Sequence, residues 1–123
     1  MKRILVVDDD IMIRKVLKII LEDRYEVEIA ENGIVALEGL EKFHPDMVIT
    51  DLEMTAMSGI ELAEEIECFD ILNKSNIKII LMSGNYNELC RIEESALYKN
   101  IDAFVSKPFN VINFLAKIEV LLR

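Results

Sequence analysis

Met47-Val48-Ile49-Thr50-Asp51 is an apolar run that stops at a carboxylate, and Ile4-Leu5-Val6-Val7-Asp8-Asp9-Asp10 repeats the pattern near the start of the chain. Apolar runs this short, bounded by polar residues, read as strands buried on both faces of a parallel sheet. If the two strands are neighbours, their C-terminal ends share one edge, and at least three carboxylates meet there. Carboxylates that close repel one another and resist ionisation unless a cation joins them. Oxygen-only donors suit a hard divalent ion, Mg2+ before others. The reading is a metal-supported acidic pocket around Asp51.

Outward from these runs the chain alternates strand and helix five times. Ile4 to Val7 is the first strand, and Ile13, Val16, Leu17, Ile20 and Leu21 then follow helical spacing with one buried stripe. Val27 to Ala30 is a second strand, and Glu31-Asn32-Gly33 a turn. Ala36, Leu37 and Leu40 form the inner face of the next helix, which His44-Pro45 ends, because a residue before proline avoids the helical region. The third strand, Met47 to Thr50, leads through a loop to a helix from about Gly59 through Cys68 and a polar turn at Asn73-Lys74-Ser75-Asn76. Ile77 to Met82 is almost wholly apolar and is expected to be a central strand. After Ser83-Gly84-Asn85, the residues Leu89, Ile92, Ala96 and Leu97 mark a fourth helix, with a stop at Asn100 in the left-handed turn that asparagine tolerates. Ile101 to Val105 is the fifth strand, and Val111, Phe114, Leu115 and Ile118 make the last helix amphipathic.

Five such units predict a doubly wound α/β fold, a five-stranded parallel sheet with helices on both faces and right-handed crossovers. The 123 residues predict one domain spanning 1–123, and a hydrophobic share of 52% argues against disorder. No apolar run approaches the roughly 20 residues that span a bilayer, and the start lacks a secretory pattern, so a cytoplasmic protein with no membrane partner is expected. A net charge of −9 disfavours direct nucleic-acid binding, which needs clustered Lys and Arg. Cys68 and Cys90 match no metal or redox spacing and read as reduced, small apolar residues on helices.

Ligands of open α/β sheets bind outside the carboxyl ends of the strands. Asp8, Asp9 and Asp10, Asp51, Ser83 and Lys107 all follow strands and collect there. These types suit phosphoryl transfer to a carboxylate. The incoming phosphorus is ringed by negative oxygens, which a divalent cation, a lysine ammonium and a hydroxyl can each engage. Backbone N–H groups after Asp51 and at Gly84 could complete the cradle, with Gly84 leaving room for the group. Duller readings exist for each residue. Asp10 reads as a helix cap, Ser83 alone as a turn residue, Lys107 alone as a surface lysine, and the single histidine, His44, as structural or exposed at the opposite end of the sheet. The joint placement at one edge favours chemistry.

With these motifs in order, Pro45-Asp46-Met47-Val48-Ile49-Thr50-Asp51 with Met54 and Gly59, Ile79-Ile80-Leu81-Met82-Ser83-Gly84, Ala103-Phe104-Val105-Ser106-Lys107-Pro108-Phe109 and the acidic run at Asp8, the whole chain resembles the receiver domain of two-component response regulators, of the single-domain chemotaxis type. The resemblance implies a flavodoxin-like three-layer sandwich with strand order 2-1-3-4-5. It implies that Asp51 is the phosphoacceptor for a sensor histidine kinase or histidine phosphotransfer protein. Mg2+ would be bound by Asp9 directly, by Asp8 through water, by Asp51 and by the backbone carbonyl of Glu53. Lys107 would pair with the phosphoryl group across a cis Lys107-Pro108 bond. Ser83 and Phe104 would be the switch pair, and the face of the fourth helix, fifth strand and fifth helix would select a downstream protein effector or form a homodimer. The chain would then be a signalling protein that catalyses at most its own phosphorylation and dephosphorylation.

Departures from the family pattern fall in the loop. Thr55 stands where proline is usual, and Ser58 where aspartate often precedes the glycine. Glu53 and Asn85 occupy variable positions that flank the phosphoryl site and tune phosphate lifetime in the family. Phe104 replaces the commoner tyrosine, so its rotation rests on packing. Two rival readings fit part of the pattern: a receiver-like module that binds without phosphorylation, and a haloacid-dehalogenase-type phosphatase. The second would need aspartate rather than Glu53 as its general acid, and metal-binding acids after the nucleophile rather than before it.

Overall fold

The computed structural model describes residues 1–95 and 98–123. Strands β1 (Arg3–Val7), β2 (Glu26–Ala30), β3 (Met47–Asp51), β4 (Lys78–Ser83) and β5 (Ala103–Ser106) alternate with helices α1 (Ile11–Leu21), α2 (Gly33–Phe43), α3 (Gly59–Asn73), α4 (Tyr86–Glu94) and α5 (Val111–Leu121). All pairings are parallel, in the order β2-β1-β3-β4-β5. The strand alternation splits the interior in two. Leu5, Val7, Val48, Ile79 and Leu81 face a core with α2, α3 and α4. Ile4, Val6, Ile49, Ile80 and Met82 face Leu17 and Leu21 of α1 and Phe114 and Ile118 of α5. Each fully buried side chain of this size stabilises the fold by about 2 kcal/mol before entropy is counted. Among the described residues, no helix is long and apolar enough to cross a membrane.

Every one of these helices starts at a short polar side chain that accepts a backbone N–H of the first turn: Asp10 from Met12, Asn32 from Val35, Ser58 from Glu61, Asn85 from Glu88 and Asn110 from Asn113. Ser58 and Glu61 complete a reciprocal capping box. The serine in place of aspartate therefore fills a helix-starting role. Ser58→Ala is expected to cost about 1 kcal/mol and Ser58→Asp almost nothing, as measured by urea denaturation.

Several sequence expectations are corrected. The fourth helix stops at Glu94, so Asn100 does not end it, and Ala96 and Leu97 lie outside the described residues. Asn100 has no positive φ; its side chain instead donates to the carbonyl of Ala63, tying the turn before β5 to α3. His44, by contrast, ends α2 and is exposed as expected; its left-handed backbone (φ 52°) keeps it out of the right-handed helical region before Pro45, and its N–H closes the helix on Leu40. β4 is interior as expected, between β3 and β5 and buried from Ile79 to Ser83. α3 runs five residues beyond Cys68, and that cysteine is exposed rather than packed.

Candidate functional site

The carboxyl ends of β1, β3, β4 and β5 are level. Register pairs Val7 with Thr50, Asp51 with Met82 and Ser83 with Ser106. Ideal sheet geometry therefore delivers Asp8, Asp51, Ser83 and Lys107 to one rim. Asp8, Asp9 and Asp51 can each offer a carboxylate oxygen with all three atoms within 4.8 Å of one another. Asp8 and Asp51 are buried, and Asp9 is exposed. The Lys107 ammonium lies 2.9 Å from Asp8 Oδ2 and 3.1 Å from Asp51 Oδ1. One cation thus bridges two buried acids, and the Lys107-Pro108 bond is cis. The other Asp8 oxygen, Oδ1, accepts the Asp10 N–H at 2.9 Å.

Burial pushes the Asp51 carboxyl above its ordinary 3.8; Lys107 pulls it back, and the charges of Asp8 and Asp9 push it up further. For Lys107, burial opposes the charge, but the bond to Asp8 and the attraction of both acids outweigh it and hold the ammonium above its ordinary 10.5. The Asp51 shift fixes a sign. An acid with a raised folded-state pKa contributes stability below its unfolded value that is lost as pH rises through the folded value. At neutral pH ionised Asp51 therefore weakens the metal-free fold. Asp51→Asn is expected to raise the melting temperature in EDTA at pH 7, and the gain should shrink as pH falls toward 3.8. Thermal denaturation against pH checks this.

Ser83 is 1% exposed, and its Oγ accepts the Asn85 N–H at 2.9 Å. Its own O–H remains a donor, but its bond is made along the rim and not to the acids. Asn85 spends its side-chain oxygen on the α4 cap. Glu53, Thr55 and Gly84 are exposed around the pocket. Phe104 is half-buried and packs against the core under α4. A cavity of about 840 Å3 opens beside the acids, lined by Asp9, Glu53, Met54, Thr55, Arg91 and Tyr98 among others.

The loop after Asp51 bends at Ala56, whose φ of 69° is a left-handed conformation that costs a non-glycine residue roughly 1 kcal/mol. A Cβ on Gly84 would meet no protein atom within 4 Å, so the space beside it is open. The glycine the site requires is Gly59: a Cβ on it would overlap the backbone carbonyl of Asp51 and come within 2.7 Å of Leu81 Cδ1. The close approach is visible only in three dimensions, since sequence gives Gly59 as a helix start and no more.

The acidic oxygens form an all-oxygen donor set with the composition that Mg2+ prefers. Comparison with known proteins agrees with this chemistry. The family model described as response regulator receiver domain matches residues 4–119. The chain is 33% identical over 109 residues to the chemotaxis protein CheY of Halobacterium salinarum, covering 88% of this chain and 86% of that protein. It is 34% identical over 111 residues to sporulation initiation phosphotransferase F of Bacillus subtilis, covering 89% and 85%. Other relatives are longer: the chain spans 8% of histidine kinase P4 of Formosa agariphila and 51% of the CpxR homolog of Haemophilus influenzae. Among solved structures, the response regulator TrrA of Thermotoga maritima, in complex with Mg2+-BeF, is 39% identical, covers 99% of this chain and 100% of its own, and superposes with a TM-score of 0.83.

Proposed function

The chain belongs to the response regulator receiver domain family of two-component signalling, and from that premise we propose that Asp51 is its phosphoacceptor, with residues 1–123 forming the receiver unit. The observation that carries the assignment is the Lys107 ammonium shared by two buried acids, Asp8 and Asp51, beside exposed Asp9.

A carboxylate oxygen of Asp51 attacks the phosphorus of a phosphohistidine on a sensor kinase or phosphotransfer protein. The P–O bond forms as the P–N bond breaks, the electron pair leaves on the imidazole, and an aspartyl phosphate results. Asp8, Asp9, Asp51 and the backbone carbonyl of Glu53 would hold Mg2+, which supplies neutralising charge to the phosphoryl oxygens. Lys107 exchanges its bond to Asp51 for one to a phosphoryl oxygen, keeping its hold on Asp8. Ser83 donates its free O–H to another oxygen. Gly84, Asn85 and Thr55 border the group, and Asn85 with Glu53 sets how long it lasts. Phe104 turns inward as Ser83 moves, because a half-buried ring follows the space that opens beside it. The face of α4, β5 and α5 then engages a protein effector or a second copy of the chain. The reading is of a cytoplasmic signalling protein without substrate turnover.

Incubation with a small-molecule phosphodonor and Mg2+, followed by intact mass measurement, is expected to add one phosphoryl group. Neither Asp51→Asn nor an EDTA control should gain it. A gain in Asp51→Asn would move the acceptor elsewhere. No gain, together with no stable beryllofluoride complex, would instead support a receiver-like binding module.

A further inference from the structure

The β1–α1 turn is held at several points. Asp8 N–H donates to the carbonyl of Ala30 at 3.2 Å, Asp10 caps α1, and Arg14 N–H donates to the carbonyl of Asp10 at 3.2 Å. One further bond has no part in the chemistry above. The half-buried Arg14 side chain reaches back from α1 and donates Nη1–H to the backbone carbonyl of Asp8 at 2.7 Å. That carbonyl belongs to the peptide plane joining Asp8 to Asp9. A peptide plane is rigid, so fixing its oxygen sets the direction in which the chain enters Asp9. A bond from a charged guanidinium is short and strong enough to hold it.

We propose that Arg14 is a positioning residue for the divalent-cation site: by clamping the Asp8 carbonyl it aims the exposed Asp9 carboxylate at the oxygens of Asp8 and Asp51. The inference rests on the receiver reading above. Asp8 and Asp51 are already fixed by burial and Lys107, whereas Asp9 is exposed, so the peptide that leads into it sets its aim. Charge alone argues the opposite effect. A guanidinium near the pocket repels a cation, so removing it on electrostatic grounds would tighten metal binding. The two roles therefore predict changes of opposite sign.

The test is Mg2+ affinity, read from the rise in melting temperature with Mg2+ concentration and by calorimetric titration, in the full chain without phosphodonor. Arg14→Ala and Arg14→Met, the second keeping the aliphatic stem, are expected to weaken Mg2+ binding roughly tenfold, the usual scale for losing a group that orients a metal ligand. Arg14→Lys keeps the charge and one donor and should recover part of the loss. A purely structural role would lower the melting temperature equally with and without Mg2+ and leave the Mg2+-induced rise unchanged, which overturns the proposal. Tighter Mg2+ binding in Arg14→Ala or Arg14→Met overturns it as well. Absence of any Mg2+ effect in the unsubstituted protein would instead remove the receiver reading on which the proposal stands.

Discussion

Lys107→Ala is expected to cost the metal-free fold about 3 kcal/mol, the scale for leaving buried charges without their partner. For a chain of 123 residues this corresponds to a fall in melting temperature of roughly 10 °C. Lys107 is 21% exposed, while the Asp8 and Asp51 side chains it bridges are 1% and 11% exposed, so water reaches the cation more easily than the acids. Without the ammonium, three clustered carboxylates face one another, and a proton or a cation must be taken up in its place. Added Mg2+ should therefore restore more stability to Lys107→Ala than to the unsubstituted protein. The pH dependence has a definite sign. Lys107 has a folded-state value above 10.5, so its contribution is full below that value and is lost as pH rises through the raised one. The difference between the two proteins should close in strongly alkaline solution. Urea denaturation in EDTA measures each part, and equal stabilities at pH 7 would show that the bridge is not what holds the pocket. Phosphoryl uptake should fall steeply in the same variant, because the positive partner of the incoming group is gone.

Gly59→Ala is expected to cost about 3 kcal/mol, and Gly59→Val more. Overpacking a tight site usually costs 1–3 kcal/mol, and here the obstacle is partly backbone. The added Cβ would overlap the carbonyl oxygen of Asp51, which also accepts the Thr50 hydroxyl at 3.0 Å within a strand buried along its whole length. Gly59 is itself held in place, since its N–H donates to the carbonyl of Leu52 at 2.9 Å. Relief must come from moving the start of α3 or the end of β3, and the second displaces the phosphoacceptor. A fall in phosphoryl uptake beyond that explained by the unfolded fraction is therefore expected. Gly33 gives the contrasting case: a Cβ there would meet Met57 Sδ at 2.7 Å, Cγ at 2.9 Å and Cβ at 3.0 Å, all side-chain atoms rather than backbone, so Gly33→Ala should cost less than Gly59→Ala. Parallel denaturation of the two variants checks the comparison, and equal losses would remove the argument from backbone rigidity.

The sequence by itself determined the alternation of elements, because the interior strands are short continuous apolar runs and each helix carries an apolar stripe with period near 3.6. It also placed Asp8, Asp51, Ser83 and Lys107 at one rim, since every parallel strand puts its C-terminal residue at the same edge. Element ends were less legible. Glu94 and Asn100 both lie in polar stretches, and local composition does not say which carbonyls a helix closes on. Only the tertiary structure decided that Lys107 reaches Asp8 across 99 residues of chain and bridges it to Asp51. It alone assigned the Ser83 oxygen to Asn85, brought the Arg14 guanidinium back to the Asp8 carbonyl, and set Gly59 against Asp51. The physical reason is one of range. Periodicity and capping are properties of neighbours along the chain, whereas the charge balance and clearance of the pocket depend on side chains that meet only after the strands have paired.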